Sequence, residues 1–420
     1  MKVVSEEGIK INKNCRICNS TNLKNVIDLG NQALTGVFIE DGKSVGKYNM
    51  SLSMCQDCGL TQINEVYDLD LLYGDGYGYE SALNASMIDH LKGKAEKMKE
   101  LLSLKKGEIV IDIGSNDATS LTFFKEDIIK IGVDFTGKKF KSNYDDIGAK
   151  LVPDFFPSPE LYKILNGSKA KLISSYSCFY DLPDPVFFAK EVAKNLSEDG
   201  LWCLEQSYMP LMLETNSFDT ICHEHIEYYR LTDIKNICDR ANLEIKDIEF
   251  NDINGGSFSV TVGHPNNFYI QTDDAKKVLL DESKIDWLNE FDLFNQRINL
   301  LKTETKNFLK GLKEKGKRVV GIGASTKGNV LLQYYGLTTN ELECIGEVNP
   351  NKYGCKTPGN GIPIVSEKEL LETGPDYLFI LPWHFKNFFL NNKVFKDFSL
   401  IMPLPKLTTI EKKGDKDSNL

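Results

Sequence analysis

The residues best equipped for chemistry fall in one run, Phe218–Tyr229, which reads Phe-Asp-Thr-Ile-Cys-His-Glu-His-Ile-Glu-Tyr-Tyr. His223 and His225, two of the chain's five histidines, flank Glu224. An imidazole is a near-neutral base, and an adjacent carboxylate can orient or polarise it. Taken alone, the triplet reads as readily as one packed imidazole and one solvated imidazole.

Four cysteines form a second constellation. Cys15 and Cys18 are separated by two residues, as are Cys55 and Cys58. That spacer lets both sulfurs of a pair face one ion, and four thiolates complete a tetrahedral zinc site. The pairs lie 36 residues apart, so a small β-rich domain must bring them together. A closed four-sulfur site leaves no open position, which makes the ion structural. Four reduced thiols without metal are the alternative.

Two glycine turns follow apolar strands. Ile109–Ile113 runs into Gly114, Ser115, Asn116 and Asp117, and the next strand ends at Asp134. Such a turn lets a ligand approach backbone N–H groups, and an acid at the end of the next strand can accept ribose hydroxyls. Only Gly114 is present and Ala118 follows Asp117, so the turn is not a dinucleotide fingerprint. The pattern suits a nucleoside-containing cofactor, S-adenosylmethionine better than NAD. Asp112 and Tyr79 join this expected cofactor set. The second turn, Gly321-Ile-Gly-Ala-Ser-Thr-Lys-Gly328, offers N–H groups, hydroxyls and the Lys327 ammonium as a phosphate cradle. The alternative is a plain tight turn with a solvated lysine.

The elements that must carry these residues alternate as strand and helix. A helix is expected over Ala85–Leu102, with Met87, Ile88, Leu91, Ala95, Met98 and Leu101 on one face. Strands follow at 172–177 and 200–205, a helix at 185–196, and a further strand–turn–strand rhythm after residue 317. This reads as two doubly wound α/β sheets whose ligands sit beyond the carboxyl ends of the strands. Tyr180 and Tyr208 follow strand ends and are expected at the same mouth as the histidines. Tyr77 and Tyr79 lie on a glycine-rich loop. Asn254 sits in a turn that reads either as a hairpin connection or as a substrate contact. Glu347 ends a strand, and Trp383 follows another.

The whole chain has 420 residues, 41% hydrophobic and 26% charged, with a formal charge of −10. Its length implies more than one domain, and its acidity argues against a general nucleic-acid binder. The first residues carry no apolar stretch of the signal-peptide kind, and no run approaches the roughly 20 apolar residues of a membrane span. Cytoplasm is the expected location, with no nucleic-acid or membrane partner, as a monomer or homodimer.

The order of these motifs resembles the bacterial sugar C-methyltransferases, which alkylate keto-sugars attached to nucleoside diphosphates. The resemblance spans roughly residues 15–405, and Phe-Asp-Thr-Ile-Cys-His-Glu-His is its most specific part. It implies an α/β protein with a small zinc-binding N-terminal domain, a central Rossmann-like class I methyltransferase domain and a C-terminal Rossmann-like domain. The expected boundaries are 1–72, 73–268, 313–408 for these three, with a helical connection at 269–312 and a disordered tail at 409–420. The resemblance puts the general base at His225 with Glu224 beside it, the cofactor on Gly114, Asn116, Asp117 and Asp134, and the diphosphate on Ser325 and Lys327. Tyr77, Tyr208, His223, Asn254, Glu347 and Trp383 complete the expected substrate set. Some members place a tyrosine at Cys222 and a histidine in the stretch around Tyr180. Those two positions are therefore expected to serve catalysis differently here.

The implied reaction is carbon–carbon bond formation. A base removes the proton beside a sugar carbonyl, a donor holds the resulting enolate, and the methyl group of S-adenosylmethionine is transferred to carbon. Tyr77, Tyr79, Tyr180 and Tyr208 are the candidate donors. The expected product is a 4-keto-deoxysugar methylated next to the carbonyl, at C3 with C5 as the alternative, and destined for a surface polysaccharide or a glycosylated metabolite. An O-methyltransferase on the same scaffold and an NAD-dependent nucleotide-sugar enzyme are the competing readings.

Overall fold

A computed structural model of the chain describes residues 10–40, 45–67, 80–83 and 85–412. Tyr77 and Tyr79 lie outside the described residues.

The central domain is a seven-stranded sheet. Ile109–Ile113 lies in the middle, flanked in parallel by Ile129–Val133 and Ala170–Tyr176, with Lys150–Val152 and Leu196–Ser207 outside them. Ser257–Gly263 is inserted antiparallel between Leu196–Ser207 and the edge strand Glu244–Asn251. Ile109–Ile113 is buried at every position, as a parallel strand covered on both faces should be. From it the chain runs outward through Ile129–Val133 and Lys150–Val152 on one side and then crosses back to Ala170–Tyr176 on the other, so the Gly114 turn sits at the topological switch point, where open α/β sheets bind their ligands.

The expected helix forms over Ala85–Leu102, with Leu91, Ala95, Met98 and Leu102 buried. Leu101 is left exposed and Leu102 takes the inner position, a rotation of one residue at the last turn. After the Gly114 turn the chain forms a single 3-10 turn, Ser120–Phe123.

The C-terminal domain repeats the logic. Val319–Ile322 is flanked in parallel by Ile345–Glu347 and Tyr377–Ile380, with Ile364–Ser366 and Ser399–Met402 outside them. The turn from Gly323 to Ser325 therefore occupies a second switch point. Thr408–Ile410 adds an antiparallel edge strand, and Ser399 donates to a Glu411 carboxylate oxygen at 2.7 Å. Thr409 and Ile410, which fall in the expected tail, pair with the sheet instead.

The N-terminal domain is built on an antiparallel sheet of Leu23–Ala33, Lys47–Cys55 and Thr61–Ile63. Its fourth strand is Glu227–Tyr228, which pairs with Thr61–Ile63. The segment that carries the histidines is therefore stitched into this sheet. The expected helical connection is two helices, Asp273–Glu282 and Trp287–Glu314. The longer one is more than a connector: Phe291, Phe294 and Ile298 enter one apolar core with Ile27 and Leu52 of the N-terminal sheet and Val320 of the C-terminal sheet. Asn295 also donates to the Val26 carbonyl at 2.7 Å.

Candidate active site

The four cysteines converge. Their sulfurs all lie within 4.8 Å of one another, with Cys15 to Cys58 at 3.4 Å and Cys18 to Cys55 at 3.6 Å. A zinc–sulfur bond of about 2.3 Å puts tetrahedral sulfurs roughly 3.8 Å apart, so the set fits the ion. The residue after each pair, Asn19 and Gly59, takes positive φ (62° and 86°) and donates its N–H to Cys15 and Cys55 respectively. Each knuckle is thereby closed on itself. The contact with Cys58 holds the Cys15 thiol down to about 5, and the same contact with burial raises Cys58.

At the first switch point Gly114 has φ of 74°. A Cβ there would lie 3.0 Å from both the Cβ and the sulfur of Cys178, so only glycine leaves the approach to the backbone open. Asp134 accepts from the Asn116 N–H at 2.7 Å through Oδ2, and from the Thr136 N–H and hydroxyl, both at 2.6 Å, through Oδ1. Oδ2 keeps capacity for one further donor. Beside it the rings of Phe135 and Phe155 stack at 4.7 Å and 11°, although they are 37% and 42% exposed. This aromatic wall beside a ribose-type acid suits a purine, and the sequence reading missed it. The residues present fit S-adenosylmethionine.

Three expected cofactor residues are placed differently. Asn116 Oδ1 accepts from the Ser81 N–H at 3.1 Å, and Asp117 Oδ2 from the Ala82 N–H at 2.8 Å. Their side chains anchor the turn at 81–83 on the cofactor loop. Asp112 lies beneath the turn, receiving a hydrogen bond from Ser174 at 2.6 Å. Burial, with Asp134 nearby, pushes its carboxyl up to about 7.

The histidine triplet separates into three environments. His223 is wholly buried and packs edge-on against Tyr67 at 5.0 Å and Tyr48 at 6.4 Å. Neither of its ring nitrogens has a hydrogen-bond partner among the described residues, and burial holds its pKa down at about 3. It is a packing residue of the N-terminal domain, which corrects its place in the expected substrate set. Glu224 extends over Gly36 and accepts from Thr35 at 3.5 Å; burial raises its carboxyl. Cys222 is buried, and burial with Glu224 beyond it raises its thiol well above the usual range. It is a neutral neighbour of Glu224 and not a nucleophile.

His225 faces a small cavity with Tyr180, Ser207, Thr220 and Glu227. Its ring lies 4.1 Å from that of Tyr180, and Nδ1 is 3.0 Å from the Thr220 carbonyl. A carbonyl only accepts, so Nδ1 carries the proton and Nε2 keeps its lone pair. Burial first, and the charge of Lys327 second, lower its pKa to about 4. The imidazole is neutral at pH 7.

The second switch point does not form the expected cradle. Ser325 Oγ caps the helix Thr326–Tyr335, accepting from Gly328 N–H at 3.1 Å. Lys327 turns away and donates to the Asn254 carbonyl. Asn254 itself sits at φ of 57° and reaches Ser177 at 3.4 Å. Lys327 is thus drawn into the junction of the central and C-terminal domains, where its charge acts on His225, Asp219 and His384. Trp383 is also redirected: its indole donates to buried Asp219 at 2.7 Å. Glu347 Oε1 accepts from the Val348 and Asn349 N–H groups at 2.8 and 2.9 Å, and Lys352 lies 3.5 Å from Oε2. Tyr208 is removed from the mouth altogether. Its hydroxyl donates to Glu282 at 2.6 Å, and Glu282 caps the helix Leu231–Arg240 by accepting from the Leu231 and Thr232 N–H groups, both at 2.8 Å.

Three family models match the chain in succession: a zinc binding domain at residues 15–73, a methyltransferase domain at 87–248 and the C-methyltransferase C-terminal domain at 252–405. The chain carries the three domains of an S-adenosylmethionine-dependent C-methyltransferase. Its cofactors are S-adenosylmethionine and zinc. A similar protein is the C-methyltransferase NovU of Streptomyces niveus, 27% identical over 407 residues, covering 93% of this chain and 95% of that one. Among solved structures, an S-adenosylmethionine-dependent methyltransferase from Clostridium acetobutylicum aligns over 46% of this chain and 95% of its own, at 11% identity and a TM-score of 0.34. The magnesium protoporphyrin IX methyltransferase of Synechocystis, with bound S-adenosylmethionine, aligns over 47% and 89%, at 11% identity and a TM-score of 0.33. Among the described residues no helix is long and apolar enough to cross a membrane.

Proposed function

We propose that the chain methylates the carbon beside the carbonyl of a nucleoside-diphosphate-linked 4-keto-deoxysugar, with C3 as the position, and that His225 is the base that opens the reaction. The observation that carries this reading is the state of His225: Nδ1–H is fixed on the Thr220 carbonyl at 3.0 Å, and burial keeps the ring neutral. A neutral imidazole with one free nitrogen can take a proton from carbon, which methyl transfer to oxygen does not require.

Removal of that proton leaves an enolate whose oxygen needs a preorganised donor. Tyr180, against the His225 ring at 4.1 Å, is the nearest of the expected tyrosines among the described residues. Lys327 supports the same step from the other side: the charge that makes His225 harder to protonate favours an anion forming beside it. When bound, S-adenosylmethionine supplies an activated methyl group. Gly114 and Asp134 would hold it at the first switch point, with Phe135 and Phe155 against its base. The nucleotide-sugar would lie where Asn254 and Lys327 meet, at the junction of the central and C-terminal domains, rather than on the cradle expected of Ser325 and Lys327. Zinc, on Cys15, Cys18, Cys55 and Cys58, supplies structure.

The test is incubation with S-adenosylmethionine and a panel of nucleotide-linked 4-keto-deoxysugars, with mass spectrometry for a gained methyl group and NMR for its position. A methyl group on C3 is the expected product. A methyl group on oxygen would overturn the proposal.

A further inference from the structure

The zinc knuckles and the segment carrying His225 grip one another from both sides. Arg16 stands between the ligands Cys15 and Cys18, yet its side chain turns inward. Its guanidinium donates to the Ile63 carbonyl and reaches the Ile226 carbonyl at 3.5 Å, and its Nε lies 3.5 Å from Glu227 Oε1. The two side chains are 1% and 0% exposed. Both Glu227 oxygens, and Arg16 Nε and Nη2, lack any hydrogen-bond partner among the described residues. Burial raises the Glu227 carboxyl well above the usual range and Arg16 is the charge that opposes this, so the two groups are coupled. From the opposite direction Arg230 donates to the carbonyl of the ligand Cys58 at 3.3 Å, while Asp233 holds its guanidinium at 2.7 and 2.9 Å. Ile63 N–H closes the joint on the Ile226 carbonyl at 2.9 Å.

We propose that Arg16 is a positioning residue for His225. The metal fixes the knuckle that carries Arg16. Arg16 fixes Ile226 and Glu227, and these hold the imidazole one and two residues upstream against Thr220 and Tyr180. A buried charge pair suits this role, because replacing one partner strands the other whereas replacing both does not. The consequence for turnover rests on His225 being the base; the consequence for the position of the imidazole does not.

The experiment uses the full zinc-loaded chain labelled with 15N-histidine, as wild type, Arg16→Met, Glu227→Gln and the double variant, with His225→Gln assigning the Nδ1–H resonance. Zinc content and S-adenosylmethionine binding are measured on each. The expected result is a shifted or broadened His225 resonance in either single variant, with zinc and cofactor binding retained, and a return towards wild type in the double variant. Turnover in the single variants should fall roughly tenfold to a hundredfold, the scale for a displaced catalytic group, with substrate KM little changed. An unmoved resonance in a zinc-loaded single variant overturns the proposal, as do single effects that simply add in the double variant. If Arg16→Met does not fold, Glu227→Gln decides by the same resonance. A moved resonance with unchanged turnover would leave the positioning intact and remove His225 as base.

Discussion

The indole N–H of Trp383 and the carboxylate of Asp219 meet at 2.7 Å in the interior of the protein. Asp219 is fully buried, its other oxygen has no hydrogen-bond partner among the described residues, and burial raises its pKa. This bond joins the C-terminal domain to the run that carries His225, six residues further on. Domain docking and the position of His225 therefore share one contact.

Trp383→Phe should keep the aromatic packing and lose the donor. Leaving a buried carboxyl without its partner costs about 1–3 kcal/mol. A lower midpoint of thermal unfolding is expected, with reduced turnover, and Trp383→Phe paired with Asp219→Asn should lose less than the two changes separately. An unchanged midpoint in Trp383→Phe would show that the contact contributes nothing to docking.

Tyr208→Phe should leave turnover near that of wild type. Its hydroxyl is engaged by Glu282, which also caps the helix Leu231–Arg240, so the loss is one of stability, about 1 kcal/mol for one hydrogen bond. A large fall in turnover without a change in the melting curve would return this tyrosine to the site.

The acid limb of kcat/KM should lie well below that of an ordinary histidine near pH 6.5. Burial and Lys327 lower His225 to about 4, and a base works only when unprotonated. The rate contributed by this group is thus full at neutrality and falls as pH drops through about 4. Lys327→Met removes one depressing charge, so its acid limb should move to higher pH. Rates measured against pH for both proteins check the direction.

Stability should also depend on pH through buried neutral histidines. His223 and His384 are each held down at about 3 by burial, whereas in the unfolded chain they titrate near 6.5. Below that value the unfolded state binds more protons, so stability is full above about pH 6.5 and is lost as pH falls towards 3. Each such group sets a slope of at most about 1.4 kcal/mol per pH unit. Between pH 7, above that window, and pH 5, inside it, denaturant unfolding should show a smaller loss of stability in His223→Phe than in wild type.

The fold was largely legible because its signals are local. Buried apolar strands ending in glycine, such as Ile109–Gly114, announce both switch points, and paired cysteines announce the metal knuckle. The site was legible in its residue types and less so in their directions. Lys327 and Trp383 were read from their own strand-to-helix turns, yet their partners, Asn254 and Asp219, are distant in sequence. His223 and His225 are indistinguishable by type; only the pairing of Glu227–Tyr228 with the N-terminal sheet sends one into the core and leaves the other at the cavity. Arg16 could have been suspected as a cation between two metal ligands, but nothing near it in sequence names Glu227. Phe135 and Phe155 are adjacent only because neighbouring parallel strands end side by side.

The most direct measurement is hydrogen exchange at the substrate carbon, made in deuterated water without S-adenosylmethionine. Wild type should wash deuterium into the position beside the carbonyl of an accepted nucleotide-linked 4-keto-deoxysugar, and His225→Ala, still binding S-adenosylmethionine, should not. Equal exchange in the two proteins would contradict the assignment of His225 as the base.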